Sequence, residues 1–159
     1  MESGYLIRNA LLSDYSEIAK LDKLLNDEHK KRRADIIRQD IPLISYEQFR
    51  TVLLSSSTKM SVAEINNEII GFVLAKQCNY HKHATIIDMP VIEIEKLFVN
   101  PMRRHNKVGT ALFNEIISFA QVQHIDKIEL TVWGWNNGAI EFYHKMGLYN
   151  RYHRLEFDV

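Results

Sequence analysis

VIEIEKLFVNPMRRHNKVGTALFNEIISFAQ, residues 91–121, changes character twice. Ile92, Ile94, Leu97, Phe98 and Val99 set apolar side chains on both faces of an extended run, the pattern of a central strand covered on each side. A basic loop holding Arg103, Arg104 and Lys107 follows. Beyond it Val108, Leu112, Ile116 and Phe119 recur at helical spacing, with Ala111 and Ala120 beside them and Asn114, Glu115 and Ser118 opposite. The stretch therefore predicts a strand, a turn and a helix lying on the sheet. The first amides of such a helix have no intrahelical acceptor, and the positive end of the helix dipole lies there. Gly109 lets other atoms approach them closely, so a phosphate is the natural occupant.

The flanking chain supplies the rest of a sheet. Tyr5 to Asn9 alternates as an edge strand, and Ser13 or Asp14 is placed to cap a helix carrying Tyr15, Ile18, Leu21 and Leu25. The charge run Glu28-His29-Lys30-Lys31-Arg32-Arg33 reads as a solvated helix end or loop, with steering of a substrate as the sharper alternative. A helix is expected from near Tyr46, with Phe49, Val52 and Leu53 apolar. Lys59–Ile65 and Ile69–Gln77 alternate as strands, and Asn66-Asn67 between them predicts a tight hairpin because Asn tolerates positive φ. A further strand is expected to begin near Ile86. Residues 125–132 alternate as a buried strand, and Trp133 and Trp135 after it are read first as core filling, second as the wall of a cleft. Ala139, Phe142, Tyr143 and Met146 form the stripe of another helix, Gly147 suits its cap, and Tyr152 to Phe157 alternates as a last strand.

Composition narrows the function classes. Twenty basic and twenty acidic residues cancel, so the whole chain has no electrostatic reason to bind nucleic acid or an anionic membrane. No apolar run approaches the roughly 20 residues of a membrane span, and Met1 to Ala10 lacks the apolar core of a signal peptide, so a cytoplasmic location is expected. Cys78 is the only cysteine, which excludes an internal disulfide and leaves a packed strand thiol as the simplest reading. His81 and His83 stand one residue apart without an accompanying carboxylate or cysteine; an exposed loop is the reading, and no metal is expected.

Two motifs go further. Arg104-His105-Asn106-Lys107-Val108-Gly109 resembles the cofactor motif of the GCN5-related N-acetyltransferases, in which Arg or Gln, two residues, Gly, one residue, and Gly or Ala follow in that order; Lys107 stands where the family usually has its first glycine. Some thirty residues on, Asn136, Ala139, Tyr143 and Gly147 fall in the register of the family's later motif. The resemblance covers roughly residues 60 to 159. It implies one N-acetyltransferase domain over residues 1–159, mixed α/β (α+β), with a twisted, mostly antiparallel sheet of six to seven strands and helices on both faces. It also implies acetyl-CoA as co-substrate and an amine of a small molecule or peptide as acceptor. A catalytically silent acyl-CoA-binding module with the same fold is the alternative, and the oligomeric state, a homodimer included, stays open.

The chemistry assigns residues to tasks. Main-chain amides from Arg104 through His105, Asn106, Lys107, Val108, Gly109 and Thr110 are expected to cradle a pyrophosphate, with a Cβ at Lys107 costing ~1 kcal/mol or more. By resemblance, main-chain groups of Leu97, Phe98 and Val99, beside a bulge, hold the pantetheine arm and polarise the thioester. Glu93 and Glu95 share a strand face; Glu95 is the expected general base and Glu93 its reserve, with partial burial beside a second carboxylate raising one of them. Tyr143 matches the family's tyrosine, near the cofactor sulfur, and is the expected acid for the leaving thiolate. Asn136 is expected to bind cofactor or cap its helix.

Overall fold

The computed structural model describes residues 4–41, 43–79 and 85–159. Its elements run β1 (Leu6–Asn9), α1 (Tyr15–Arg32), α2 (Tyr46–Leu54), β2 (Thr58–Ile65), β3 (Glu68–Asn79), β4 (Pro90–Val99), α3 (Val108–Val122), β5 (Ile128–Glu129) and α4 (Asn137–Lys145). The strands form one sheet in chain order. The first four are antiparallel and β5 joins β4 in parallel. Asn66 and Asn67, at φ 51° and 63°, make the predicted two-residue turn between β2 and β3.

Side-chain alternation divides the core into two layers. Ala63, Ile70, Val73, Ala75, Ile92, Ile94 and Val99 face one way and meet Val108, Leu112, Phe113, Ile116 and Ala120 of α3. Met60, Val62, Ile69, Phe72, Leu74 and Phe98 face the other way and meet Ile18 and Leu21 of α1 and Phe49 of α2. Each large aliphatic or aromatic side chain so covered contributes about 1.5–3 kcal/mol, and both layers rest on the same three strands. Gly71 allows the closest backbone approach between β3 and β4: a Cβ there would lie 2.8 Å from the carbonyl oxygen of Phe98. Side chains fix the helix starts. Ser45 caps α2 and Gln48 returns the bond, while Gly147, at φ 92°, closes α4 with Leu148 N–H donating to the Tyr143 carbonyl at 3.0 Å.

The expected class is the observed one, but the sheet has five strands among the described residues rather than six or seven. The strand expected near Ile86 begins at Pro90. Of the expected 125–132 strand only Ile128 and Glu129 pair, and Tyr152–Phe157 joins no ladder. The physical reason is common to the last two: alternation marks a strand's faces but supplies no partner for its edge. The His81/His83 loop lies outside the described residues. Among the described residues no helix is long and apolar enough to cross a membrane.

Candidate active site

The turn ahead of α3 leaves the first amides of that helix open. Lys107 has φ 61°, the left-handed region a glycine would occupy without cost, and His105 has φ 69°. The first helical bond runs from Ala111 N–H to the Lys107 carbonyl at 3.0 Å, so the amides of Val108, Gly109 and Thr110 precede the helical ladder, and no side chain caps them. Lysine has therefore kept the glycine backbone rather than reshaping the turn. The neighbouring arginines are engaged elsewhere. Arg104 Nε donates to the Val99 carbonyl at 3.1 Å and its guanidinium lies 3.7 Å from Glu28, while Arg103 lies 3.6 Å from Glu68. Exposed Lys107 is the cation of the turn itself.

Beside this turn the sheet opens. Strand β4 pairs with β5 only at Ile92–Ile128 and Glu93–Glu129, so the run from Ile94 to Val99, including Leu97 and Phe98, has no ladder partner on that side. The register against β3 steps from Leu74–Lys96 to Ala75–Ile94, which leaves Glu95 as the extra residue of a bulge. A bulge re-aims side chains, and here it turns Glu95 and Lys96 toward different partners. Glu95 meets Lys76 of β3, and Lys96 Nζ donates to Asp22 Oδ1 of α1 at 2.6 Å.

Glu93 and Glu95 do share a face, yet they do not lie beside one another unrelieved. The Lys76 ammonium bonds Glu95 and lies 3.7 Å from Glu93. Glu95 is exposed and ion-paired to Lys76 rather than buried against Glu93. The same pair, with the Glu95 hydrogen bond leading, pushes the Lys76 pKa up. Cys78 lies 3.5 Å from Glu93, and burial followed by that carboxylate raises its pKa, so it remains a thiol and a poor nucleophile.

Tyr143 packs between α3 and α4, its ring 5.1 Å from that of Phe142 and 6.5 Å from that of Phe113. Burial pushes its phenol up to about 12, which keeps the proton on oxygen throughout the neutral range. Asn136 takes the capping role: its Oδ1 accepts from Ala139 N–H at 3.2 Å.

Trp133 and Trp135 fill no core. They lie against the last turns of α1, with Arg33 5.3 Å over the Trp133 ring, Arg32 5.7 Å over Trp135 and His29 edge-on to Trp135 at 5.8 Å. The charge run Glu28–Arg33 is thus a helix end whose cations cover the two indoles. Burial lowers the His29 pKa, which favours its neutral form. Among the described residues the Trp135 indole nitrogen is buried without an acceptor. Lys76, Asp22 and this aromatic cluster escaped the sequence reading. The tryptophans and the basic run were each visible, but no local pattern joins residues a hundred positions apart.

The acetyltransferase (GNAT) family matches the chain over residues 18–148. The uncharacterized N-acetyltransferase MJ1207 of Methanocaldococcus jannaschii is 36% identical over 99 residues, which are 62% of this chain and 42% of that protein. The match thus spans about two-fifths of that relative's length. A mutant of the BH1408 protein from Bacillus halodurans superposes with a TM-score of 0.88 at 26% identity, covering 97% of this chain and 99% of its own. The aminoglycoside N-acetyltransferase AAC(6')-Iy, in complex with CoA, shares the fold with a TM-score of 0.73 at 15% identity, over 97% of this chain and 98% of its own. Since the family match runs from α1 through α4, and so through the left-handed turn, the parted strands and the carboxylates, the chain belongs to the acetyltransferase (GNAT) family.

Proposed function

We propose that this chain transfers an acetyl group from acetyl-CoA to a primary amine of a small molecule or peptide by direct attack, without a covalent enzyme intermediate. The observation that carries the reading is the union of an open-amide, left-handed turn with a sheet whose strands part beside it. The turn from Arg104 to Thr110 offers successive amides and the charge of Lys107 to a diphosphate. Main chain at Leu97, Phe98 and Val99, lacking a strand partner toward β5, offers hydrogen bonds to an extended arm and to a thioester oxygen. Acetyl-CoA supplies the activated acyl group.

The chain's own side chains move the protons. An amine is protonated near neutral pH and must lose a proton before it attacks; Glu95, exposed on the bulge with Glu93 on the same face, accepts it directly or through water. Tyr143, held as the neutral phenol, gives a proton to the departing thiolate. An ammonium group, that of Lys76, already stands against the carboxylate pair, which supports a cationic partner there. The reading therefore favours a cationic acceptor in a protein with no net charge of its own.

The Lys76–Glu95 pair also gives weight to a second reading, a silent acyl-CoA-binding module, because a carboxylate already engaged by a lysine is less free to meet an amine. Incubation with acetyl-CoA and a panel of amines, following thiol release, separates the two. Amine-dependent release, reduced about 10²-fold or more in Tyr143→Phe, supports transfer. CoA binding without release for every amine establishes the silent module.

A further inference from the structure

Helix α1 carries one inward side chain that its apolar stripe does not explain. Ile18, Leu21 and Leu25 pack against the sheet, and Asp22 stands on the same stripe, only 3% exposed. Its Oδ1 accepts from Lys96 Nζ of β4 at 2.6 Å. A buried ion pair is weak evidence for stability, since apolar side chains of similar volume often hold a fold as well or better. What such a pair can do is choose a register.

The β4 bulge is where a choice is open. Val73 pairs with Leu97 and Ala75 with Ile94, all four on the α3 side of the sheet. Between these pairs β3 places one residue, Leu74, and β4 places two, Glu95 and Lys96. The apolar pattern therefore demands that one of the two be extra, but it does not say which. The other lies opposite Leu74, which faces the α1 layer. Hydropathy cannot tell a glutamate from a lysine at that place. Charge can: with Glu95 opposite Leu74, a second carboxylate would come under α1 where Asp22 is buried, and with Lys96 there the buried carboxylate gains a cation.

We propose that Asp22 is a positioning residue: by drawing Lys96 to the place opposite Leu74 and repelling Glu95 from it, Asp22 makes Glu95 the bulged residue and presents it beside Lys76, on the face it shares with Glu93. This rests on the reading of Glu95 as the proton acceptor in acetyl transfer. Asp22 itself touches no reacting atom. It acts through Lys96 and the backbone of β4, so a helix on one layer decides which side chain of the strand meets the amine.

Cross-strand nuclear Overhauser contacts of Leu74 read the register without any turnover, and steady-state kinetics with acetyl-CoA and an amine read its consequence. In wild type Leu74 is expected to pair with Lys96 alone. In Asp22→Asn its contacts are expected to divide between Lys96 and Glu95, and kcat should fall about two- to tenfold, in step with the share lost, with KM for acetyl-CoA unchanged. Asp22→Lys should move the contacts mostly to Glu95 and lower kcat about tenfold or more. Asp22→Leu combined with Lys96→Met should return both the contacts and kcat to within about threefold of wild type, because hydropathy now makes the choice that charge made before. That rescue also separates register from simple loss of fold. Leu74 contacts unchanged in Asp22→Asn overturn the proposal whatever the turnover, and divided contacts with kcat intact overturn the positioning role. A wild type that acetylates no amine, with contacts that still divide in Asp22→Asn, overturns acetyl transfer and leaves the choice of register with Asp22.

Discussion

The turn before α3 follows β4 at its C-terminal end, while the Lys76–Glu93–Glu95 cluster sits further back along the strand, and the two are made of different material. The turn is main chain: its property is a backbone conformation, with φ 61° at Lys107, and the side chains there are exposed. The cluster is side chain: its property is a charge balance among three groups on two strands, fixed by a register and a bulge. A backbone site should tolerate changes of residue that keep φ and ψ, and lysine at φ 61° makes Lys107 the place to test it. Charge clusters tolerate changes of backbone but not of a single ionised group. The contrast predicts which substitutions each side resists.

The largest expected effect is on the side-chain half. Glu95→Gln removes the proposed proton acceptor and leaves the bulge intact, so kcat for a good amine acceptor should fall about 10²-fold or more, with CoA affinity unchanged. Stability should shift by less than ~1 kcal/mol, because the Lys76 pair it breaks is exposed. Equal kcat values for variant and wild type would move the proton acceptor to Glu93 or water and erase the contrast as drawn.

On the backbone half, conformation and not residue identity should decide. Lys107→Gly keeps the left-handed turn and should bind CoA within a few-fold of wild type. Lys107→Val places a β-branched residue at φ 61°, a strain of about 1–3 kcal/mol, and should weaken CoA about tenfold or more by calorimetry. If glycine weakened binding as much as valine, the ammonium and not the backbone would be the working part.

Alkaline pH reads the apolar layer on the α3 side of the sheet. The Tyr143 phenol is raised by burial from its ordinary 10 to about 12, so the folded chain holds that proton where the unfolded chain has lost it. Stability is therefore expected to decline from this source as pH rises from 10 to 12. Urea titrations should show a shallower decline in Tyr143→Phe, the two differing by on the order of 1 kcal/mol near pH 11.5. Identical slopes would place the phenol in water.

Lys76→Met tests whether the ammonium competes with the acceptor. Removing it leaves Glu93 and Glu95 without their cation, so the KM of a cationic amine should drop about three- to tenfold with kcat little changed. A neutral amine should not respond. An unchanged KM for the cationic amine would mean that the acceptor binds elsewhere.

How far the sequence could be read follows the same division. The turn, α3, the Asn66-Asn67 hairpin and the Asn136 cap all rest on neighbours in sequence, and local pattern located them. Glu93 and Glu95 were legible as a same-face pair because strand period is local. Lys76 was not, since it reaches them through the register of β3 against β4, nineteen positions from Glu95. Trp133 and Trp135 went to α1 and not to the core for a related reason. Hydropathy assigns an indole to the interior, and only tertiary placement shows that Arg32 and Arg33 cover it instead. The tail's alternation predicted a last strand, yet Tyr152–Phe157 joins no ladder, because alternation names faces and not partners.

The smallest expected effect is the sharpest check on the backbone account. Gly109 sits in the first turn of α3, and a Cβ built there meets the Phe142 ring at 3.4 Å and Val99 Cγ2 at 3.9 Å, ordinary contact distances. No positive φ holds it to glycine. Gly109→Ala should therefore gain the helix preference of alanine, about 0.5–1 kcal/mol, less whatever Phe142 must yield. The Gly109 N–H is untouched by the change, so CoA affinity should stay within about twofold. Thermal melts and calorimetry on the one variant measure both. A stabilised protein that has lost CoA would mean that the cofactor occupies the space beside Phe142 where the methyl goes, making this glycine a matter of room rather than of conformation. A protein that keeps both would leave His105 and Lys107, the left-handed residues of the turn, as those whose backbone angles decide binding.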